Sequence, residues 1–186
     1  MTLTDTHFDQ PVDALSAGHW VKDNEGGADR PAGLGSIGAG RGLGVFVTHN
    51  EIVGTGVLGS HAIQMPDGPW ALRMDEVAFP VGAIAHRHIH SGSGWRYLVS
   101  GSLRIESSTG DQTMQAGNSW FEPANTPVRA VSLHQTGVTR FVRAMVIPQS
   151  AMGQSTFQLC DPADGTLPRL QVTHLHFDLP YQVDAG

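Results

Sequence analysis

The chain has 186 residues, of which 17 are acidic and 11 are Lys or Arg, so its formal net charge is −6 with His neutral. That length suits one domain with its own apolar core. The sequence contains no basic patch, which argues against a nucleic-acid partner.

The N-terminal ten residues have neither the basic nor the apolar region of a secretory signal, and no apolar run approaches about 18 residues. We therefore expect no signal peptide and no membrane span. Cys160 is the only cysteine, which excludes an intramolecular disulfide. These features favour a cytoplasmic protein.

Residues 1–44 have little apolar periodicity, and we predict an irregular, glycine-rich N-terminal extension. Within it, Gly33–Gly38 matches the pattern G-x-G-x-x-G. No strand-like segment precedes this match and no helical pattern follows it. We therefore interpret it as a flexible loop and not as a dinucleotide site.

From residue 45 onward, short strand-like segments recur about every ten residues and are separated by Gly, Pro, Asn and Asp. This regular spacing predicts one all-β domain over residues 45–186, built as an antiparallel sandwich or barrel. Ser107–Asp111 is the clearest hairpin tip. The predicted strands cover residues 45–48, 56–64, 70–79, 83–90, 95–106, 112–116, 119–121, 128–133, 139–147 and 173–177.

The most distinctive stretch contains His86, His88 and His90 at two-residue spacing. Residues spaced in this way share one face of a strand. Imidazole is the commonest metal-donating side chain, so the pattern predicts a metal site. Ser91–Gly94 is predicted to be a turn, and Trp95–Gly101 the return strand of a hairpin.

Two segments of this region resemble the motifs of the cupin family. The first family motif, G-x5-H-x-H-x3,4-E-x6-G, matches at Gly82, His88, His90 and Gly101. The family's metal-binding glutamate falls on Gly94 and is absent here.

The second family motif matches at Gly117 and Pro123, whereas its metal-binding histidine falls on Val128. The resemblance covers residues 60–148, with the core motifs in residues 79–128. It implies a cupin barrel, that is, a double-stranded β-helix of jelly-roll type, and a homodimer in which the early strands and the tail pair across the two chains. It also implies Fe, Mn, Ni or Zn at the centre of the barrel.

Two histidines alone make a weak metal site, because catalytic zinc sites usually keep three protein ligands. His86 is the first candidate for a further ligand, since it shares strand parity with His88 and His90. The other candidates for metal or pocket residues, in order, are His134, Glu122 and His61. Trp120, next to the second motif, is a further candidate for lining the pocket.

Strand parity also aims Arg96 at the barrel interior, because it lies two residues after Gly94. An inward arginine is costly without an anionic partner. That partner is either Glu122, in a purely structural pair, or a carboxylate or phosphate on a ligand.

These features favour two functions over a third interpretation, a structural β-barrel or subunit without a ligand. The first is a metal-dependent small-molecule enzyme of dioxygenase, isomerase or lyase type, in which Arg96 is the catalytic residue that anchors the carboxylate of an anionic substrate. The second is a non-catalytic module that binds a carboxylate-bearing molecule after loss of the metal site. His174 and His176 form a second H-x-H pair, which we interpret as a solvated strand face.

Overall fold

The computed structural model describes residues 1–5, 12, 14–21 and 42–181. In these parts of the chain the fold is all β, as the sequence predicts, and two short 3-10 helices span Gln149–Ala151 and Pro162–Thr166. The strands are β1 (Thr2–Asp5), β2 (Ser16–Val21), β3 (Gly42–Val47), β4 (Val57–Ser60), β5 (Trp70–Phe79), β6 (Ile84–His90), β7 (Ser93–Ser100), β8 (Ser102–Ser107), β9 (Gly110–Gln115), β10 (Ser119–Glu122), β11 (Val128–Ser132), β12 (Thr139–Pro148), β13 (Phe157–Leu159) and β14 (Val172–Pro180).

Two five-stranded antiparallel sheets form the barrel. The first has the strand order β10-β7-β12-β5-β14, and the second has the order β13-β6-β11-β8-β9. A four-stranded sheet, β2-β3-β1-β4, packs on the outer face of the first barrel sheet. The barrel interior therefore lies between two sheets, and the first of these is covered on both faces.

The alternation of side chains along β5 shows how this covering arises. Leu72 and Met74 point outward and pack with Trp20 and Val45 of the N-terminal sheet. The intervening odd-numbered residues of β5 point into the barrel. Both faces of β5 are covered by other parts of the chain, which explains the nearly continuous burial along this strand.

The expectation that residues 1–44 are irregular is wrong for residues 2–5, 16–21 and 42–44, which form β1, β2 and the start of β3. These strands are too short to show a clear period in the sequence. Their apolar side chains, such as Leu3 and Trp20, are nevertheless buried against the barrel. The motif Gly33–Gly38 lies outside the described residues.

The predicted hairpin between the histidine strand and Trp95–Gly101 is also wrong. β6 pairs with β11 and β13, whereas β7 pairs with β10 and β12 in the opposite sheet. The chain crosses between the sheets at Ser91 and Gly92. It crosses back at Gly101, whose φ of 81° suits only glycine, so the predicted strand 95–106 is in fact two strands. The hairpin tip after Ser107 is confirmed by the pairing of β8 with β9.

The tail strand β14 pairs with β5, and β1 pairs with β3 and β4, all within one chain. The expected exchange of these strands across a dimer is therefore not needed to complete their pairing, and the dimer itself stays a prediction. Among the described residues, no helix has the length and apolar character needed to cross a membrane.

Candidate functional site

A cavity of about 270 Å³ lies between the two barrel sheets. One part of its wall is apolar and is formed by side chains such as Val77, Phe79, Ile105, Val128 and Phe141. The other part is polar and carries His88, His90, Asp75, Arg96, Glu122 and Arg143. The cavity therefore matches a molecule that has both an apolar body and polar groups.

A β-bulge in β6 decides which histidines reach this cavity. Val128 of β11 pairs with His88, but Ala130, two residues later, pairs with Ala85, three residues earlier. The extra residue breaks the strict alternation, so Ala85, His88 and His90 line the cavity while His86 does not. The prediction that His86 belongs to the same donor set is thus not supported by the geometry.

The two cavity histidines are buried, and their outer ring nitrogens are fixed by hydrogen bonds. His88 Nδ1 lies 2.7 Å from the His86 carbonyl oxygen, which can only accept, so this nitrogen donates its proton. His90 Nδ1 lies 3.1 Å from Thr156 Oγ1. The remaining Nε2 atoms face each other at 3.2 Å.

Burial keeps both rings neutral at neutral pH. Desolvation lowers the pKa of His88 from 6.5 to about 4, and the positive charges of Arg143 and Arg96 add to this effect. The pKa of His90 also lies well below its ordinary value, chiefly because of burial and then because of Arg143. In a neutral His88 with a protonated Nδ1, the Nε2 atom carries a free lone pair.

The Nε2 atom of His90 has two close neighbours with opposite requirements. Arg143 Nη1 lies 3.1 Å away and can only donate, whereas His88 Nε2 lies 3.2 Å away with its lone pair. If His90 Nε2 accepts from Arg143, two lone pairs face each other; if it donates to His88, two N–H groups face each other. One of the two contacts is therefore unfavourable in the protein alone.

Sequence reasoning missed Arg143 and Asp75, which form a buried bidentate pair. Arg143 Nε and Nη2 donate to Asp75 Oδ1 and Oδ2 at 2.8 and 2.7 Å across β12 and β5. Burial lowers the pKa of Arg143, but the charge and hydrogen bonds of Asp75 outweigh it, so that the pKa lies above its ordinary value. The available signal was the presence of charged residues within two strands that are otherwise largely apolar.

Arg96 and Glu122 form a second buried ion pair, with Arg96 Nη2 2.8 Å from Glu122 Oε2. Arg96 Nη1 also donates to the Gly94 carbonyl oxygen at 2.6 Å. The other carboxylate oxygen, Glu122 Oε1, accepts from Trp120 Nε1 at 2.8 Å. The sequence left two partners open for Arg96, and the structure pairs it with the protein carboxylate, Glu122. The catalytic role of Arg96 stays a prediction.

Gly94 leaves no room for the glutamate of the family pattern. A Cβ atom on Gly94 would lie 2.0 Å from the Ala144 carbonyl oxygen of β12. Glu122 pairs directly with Gly94 across β10 and β7. The carboxylate at this level of the cavity therefore comes from the neighbouring strand.

The two remaining candidates lie away from the cavity. His61 stacks on Phe121 at a ring-centroid distance of 4.1 Å, and Phe121 points to the outer side of β10. His134 lies in the loop after β11, near Gly137. Neither side chain lines the cavity.

The predicted solvated face of His174 and His176 holds for one of the two residues. His174 is exposed, whereas the side chain of His176 is only 5% exposed and its Nε2 lies 3.7 Å from Glu76 Oε2. The two rings are 4.8 Å apart at 80°, much like those of His88 and His90 at 4.8 Å and 83°. The chain thus contains a second imidazole pair of similar ring geometry outside the cavity.

The histidine pair of the cavity fits two positions of a metal site. Two metal–nitrogen bonds of about 2.1 Å at about 100° place the nitrogens about 3.2 Å apart, which is the separation of the two Nε2 atoms. The hydrogen bonds to the outer nitrogens are of the kind that orients metal-binding imidazoles. Within the described ranges, no group of three or more His, Cys, Asp or Glu side chains is arranged to hold a metal ion. The remaining donors would have to come from a ligand or from solvent.

Residues 75–142 match a family model described as a cupin domain. Similar solved structures include an RmlC-like cupin from Shewanella frigidimarina, at 22% identity over 42% of this chain and 68% of that chain, with a TM-score of 0.38. A cupin domain from Bordetella pertussis is 22% identical over 46% of this chain and 88% of that chain, with a TM-score of 0.36. A variant of oxalate decarboxylase from Bacillus subtilis is 25% identical over 52% of this chain and 26% of that chain, with a TM-score of 0.42. No curated protein sequence matches significantly.

Proposed function

We propose that this protein is a metal-dependent cupin enzyme that acts on an anionic small molecule. His88 and His90 would hold a divalent ion next to this metabolite in the barrel cavity. The observation that carries the proposal is the pair of buried Nε2 atoms, 3.2 Å apart, on two histidines that line the cavity. A cation between them would remove the unfavourable contact that the protein alone leaves at His90. A bound divalent ion would supply Lewis-acid activation of a ligand oxygen.

The charges around the cavity support an anionic ligand. Four arginines line it, and the carboxylates that line or pair with them number three: Asp75, Glu122 and Asp178. With both histidines neutral, the balance is positive by one unit. An anionic ligand in the cavity would neutralise that balance, and another oxygen of that ligand or of solvent could complete the coordination of the ion.

The residues of the chain have separate tasks in this proposal. His86 and Thr156 orient the two imidazoles, while the Asp75 carboxylate holds Arg143 beside His90. The apolar wall excludes water from the body of the ligand. For metal binding, the N–H of Arg143 has to release His90 Nε2 and to find another acceptor, such as an oxygen of solvent or of the ligand body.

Titration calorimetry with Mn²⁺ on untagged, metal-stripped protein tests the proposal. The wild-type protein is expected to bind about one ion, and the His88→Ala/His90→Ala variant is expected to bind none at this site. The matched control is His174→Ala/His176→Ala, which removes two imidazoles of similar ring geometry and should keep the wild-type affinity. Equal Mn²⁺ binding by wild type and the His88/His90 variant, with the fold intact, would refute the proposal.

The contact of Arg143 with His90 favours a second candidate, an anion-binding cupin without a metal. Arg143 Nη1 already occupies the neighbourhood of His90 Nε2, and a guanidinium repels a divalent ion. In that case small carboxylates would bind equally well with and without a chelator. Under the first proposal, EDTA should weaken their binding.

A further inference from the structure

The three arginines deep in the cavity already have protein carboxylates. Arg73 is held by Asp178 through two contacts of 2.7 Å. Arg143 is held in the same bidentate way by Asp75, and Arg96 is held by Glu122. A ligand anion that bound one of these guanidiniums would have to displace or share a buried carboxylate, which is costly.

Arg169 differs from these three residues. It lies at the cavity wall in the segment between the second 3-10 helix and β14, and its side chain is exposed. No Asp or Glu of the described residues forms an ion pair with it, whereas its guanidinium carbon lies 4.1 Å above the ring of Phe157. The cation is thus positioned by an aromatic ring and not by an anion.

The Phe157 ring connects this arginine to the histidine pair. His88 stacks on Phe157 with a centroid distance of 4.2 Å and an angle of 20° between the planes. Because two planar groups cannot both cover one face at such distances, Arg169 and His88 lie on opposite faces of the ring. The exposed guanidinium of Arg169 therefore lies at the mouth of the cavity, and the ring of Phe157 separates it from His88.

We propose that Arg169 is the residue that recognises the anionic group of the ligand, and that the ligand is an amphipathic monoacid with an aryl or branched alkyl body. The carboxylate binds Arg169 at the mouth, and the body fills the apolar part of the cavity beside Phe141 and Trp120. This inference rests on the proposed function for the presence of an anionic ligand, but it does not require a metal. It moves the recognition of the anion from Arg96, which the sequence suggested, to Arg169.

Matched probes separate the two parts of the ligand. Phenylacetate carries both the charge and the body, phenylacetamide carries the body alone, and acetate carries the charge alone. We expect wild-type protein to bind phenylacetate most tightly in calorimetric titrations. Arg169→Gln should weaken phenylacetate binding about tenfold, which is the typical effect of one charge-assisted hydrogen bond, and should leave phenylacetamide unaffected.

The control is Arg87→Gln, which removes one exposed positive charge from the outer side of β6 without touching the cavity. It should behave like wild type with every probe. Arg169→Lys should restore part of the preference for the acid, because the charge returns without the planar fork. Thermal melts verify that each variant is folded.

Three results would overturn the inference: no binding of phenylacetate by wild type, equal binding of acid and amide, or a preference for the acid that survives in Arg169→Gln. Mn²⁺ titration of Arg169→Gln distinguishes this failure from failure of the proposed function. Mn²⁺ affinity should be unchanged in that variant. Normal phenylacetate binding together with no Mn²⁺ binding in wild type would refute the metal proposal alone.

Discussion

Replacement of Arg96 by methionine should destabilise the protein by about 3–5 kcal/mol, the usual cost of leaving one partner of a buried ion pair without the other. The Arg96 side chain is 1% exposed and that of Glu122 is 11% exposed, so solvent cannot take the place of the guanidinium. In the variant, the described contacts leave Glu122 with only the N–H of Trp120. Urea unfolding followed by circular dichroism measures the change in unfolding free energy.

The double variant Arg96→Met/Glu122→Gln should recover much of this loss, because it leaves neither charge buried alone. We expect a coupling free energy of at least about 2 kcal/mol between the two positions. The partly exposed pair of Arg104 and Glu106 is the control. The Arg104 side chain is 42% exposed, so Arg104→Met should cost no more than about 1 kcal/mol. Additive effects of the two cavity substitutions, within about 0.5 kcal/mol, would refute the buried pair.

Two further predictions follow from the cavity. Gly94→Ala should destabilise the protein by about 1–3 kcal/mol or more in urea unfolding, because its Cβ would lie 2.0 Å from a backbone oxygen of β12. Wild-type stability of this variant would refute the close contact between Gly94 and β12. In metal-free protein, the lowered pKa of His88 means that the unfolded chain takes up the proton first as the pH falls, so stability should decrease between about pH 6.5 and pH 4 by roughly 3 kcal/mol. His88→Gln should lack this part of the decrease, and an identical pH profile in both proteins would show that His88 titrates normally.

The sequence predicted the fold because its signals are local. Trp70–Phe79 was predicted with the observed bounds, and the tip after Ser107 was recognised from turn residues alone. What it could not predict was which sheet each strand joins. The predicted hairpin failed since Gly92 and Gly101 mark crossings between sheets, and such crossings depend on tertiary pairing.

The sequence predicted only those parts of the candidate site that depend on local spacing. His88 and His90 were identified by their spacing, and strand parity correctly aimed Arg96 inward. His86 was placed wrongly because a β-bulge changes parity without a mark in the sequence. Asp75, Arg143 and Arg169 reach the cavity from segments far apart in the chain, so their proximity depends on the fold.

Anomalous diffraction from crystals grown with Mn²⁺ tests the central claim most directly. We expect one strong peak within bonding distance of both His88 Nε2 and His90 Nε2, with the guanidinium of Arg143 moved away from His90. A peak at His174 and His176 instead would contradict the proposed metal site. The absence of a peak at the cavity histidines in crystals grown with saturating Mn²⁺ would also contradict it.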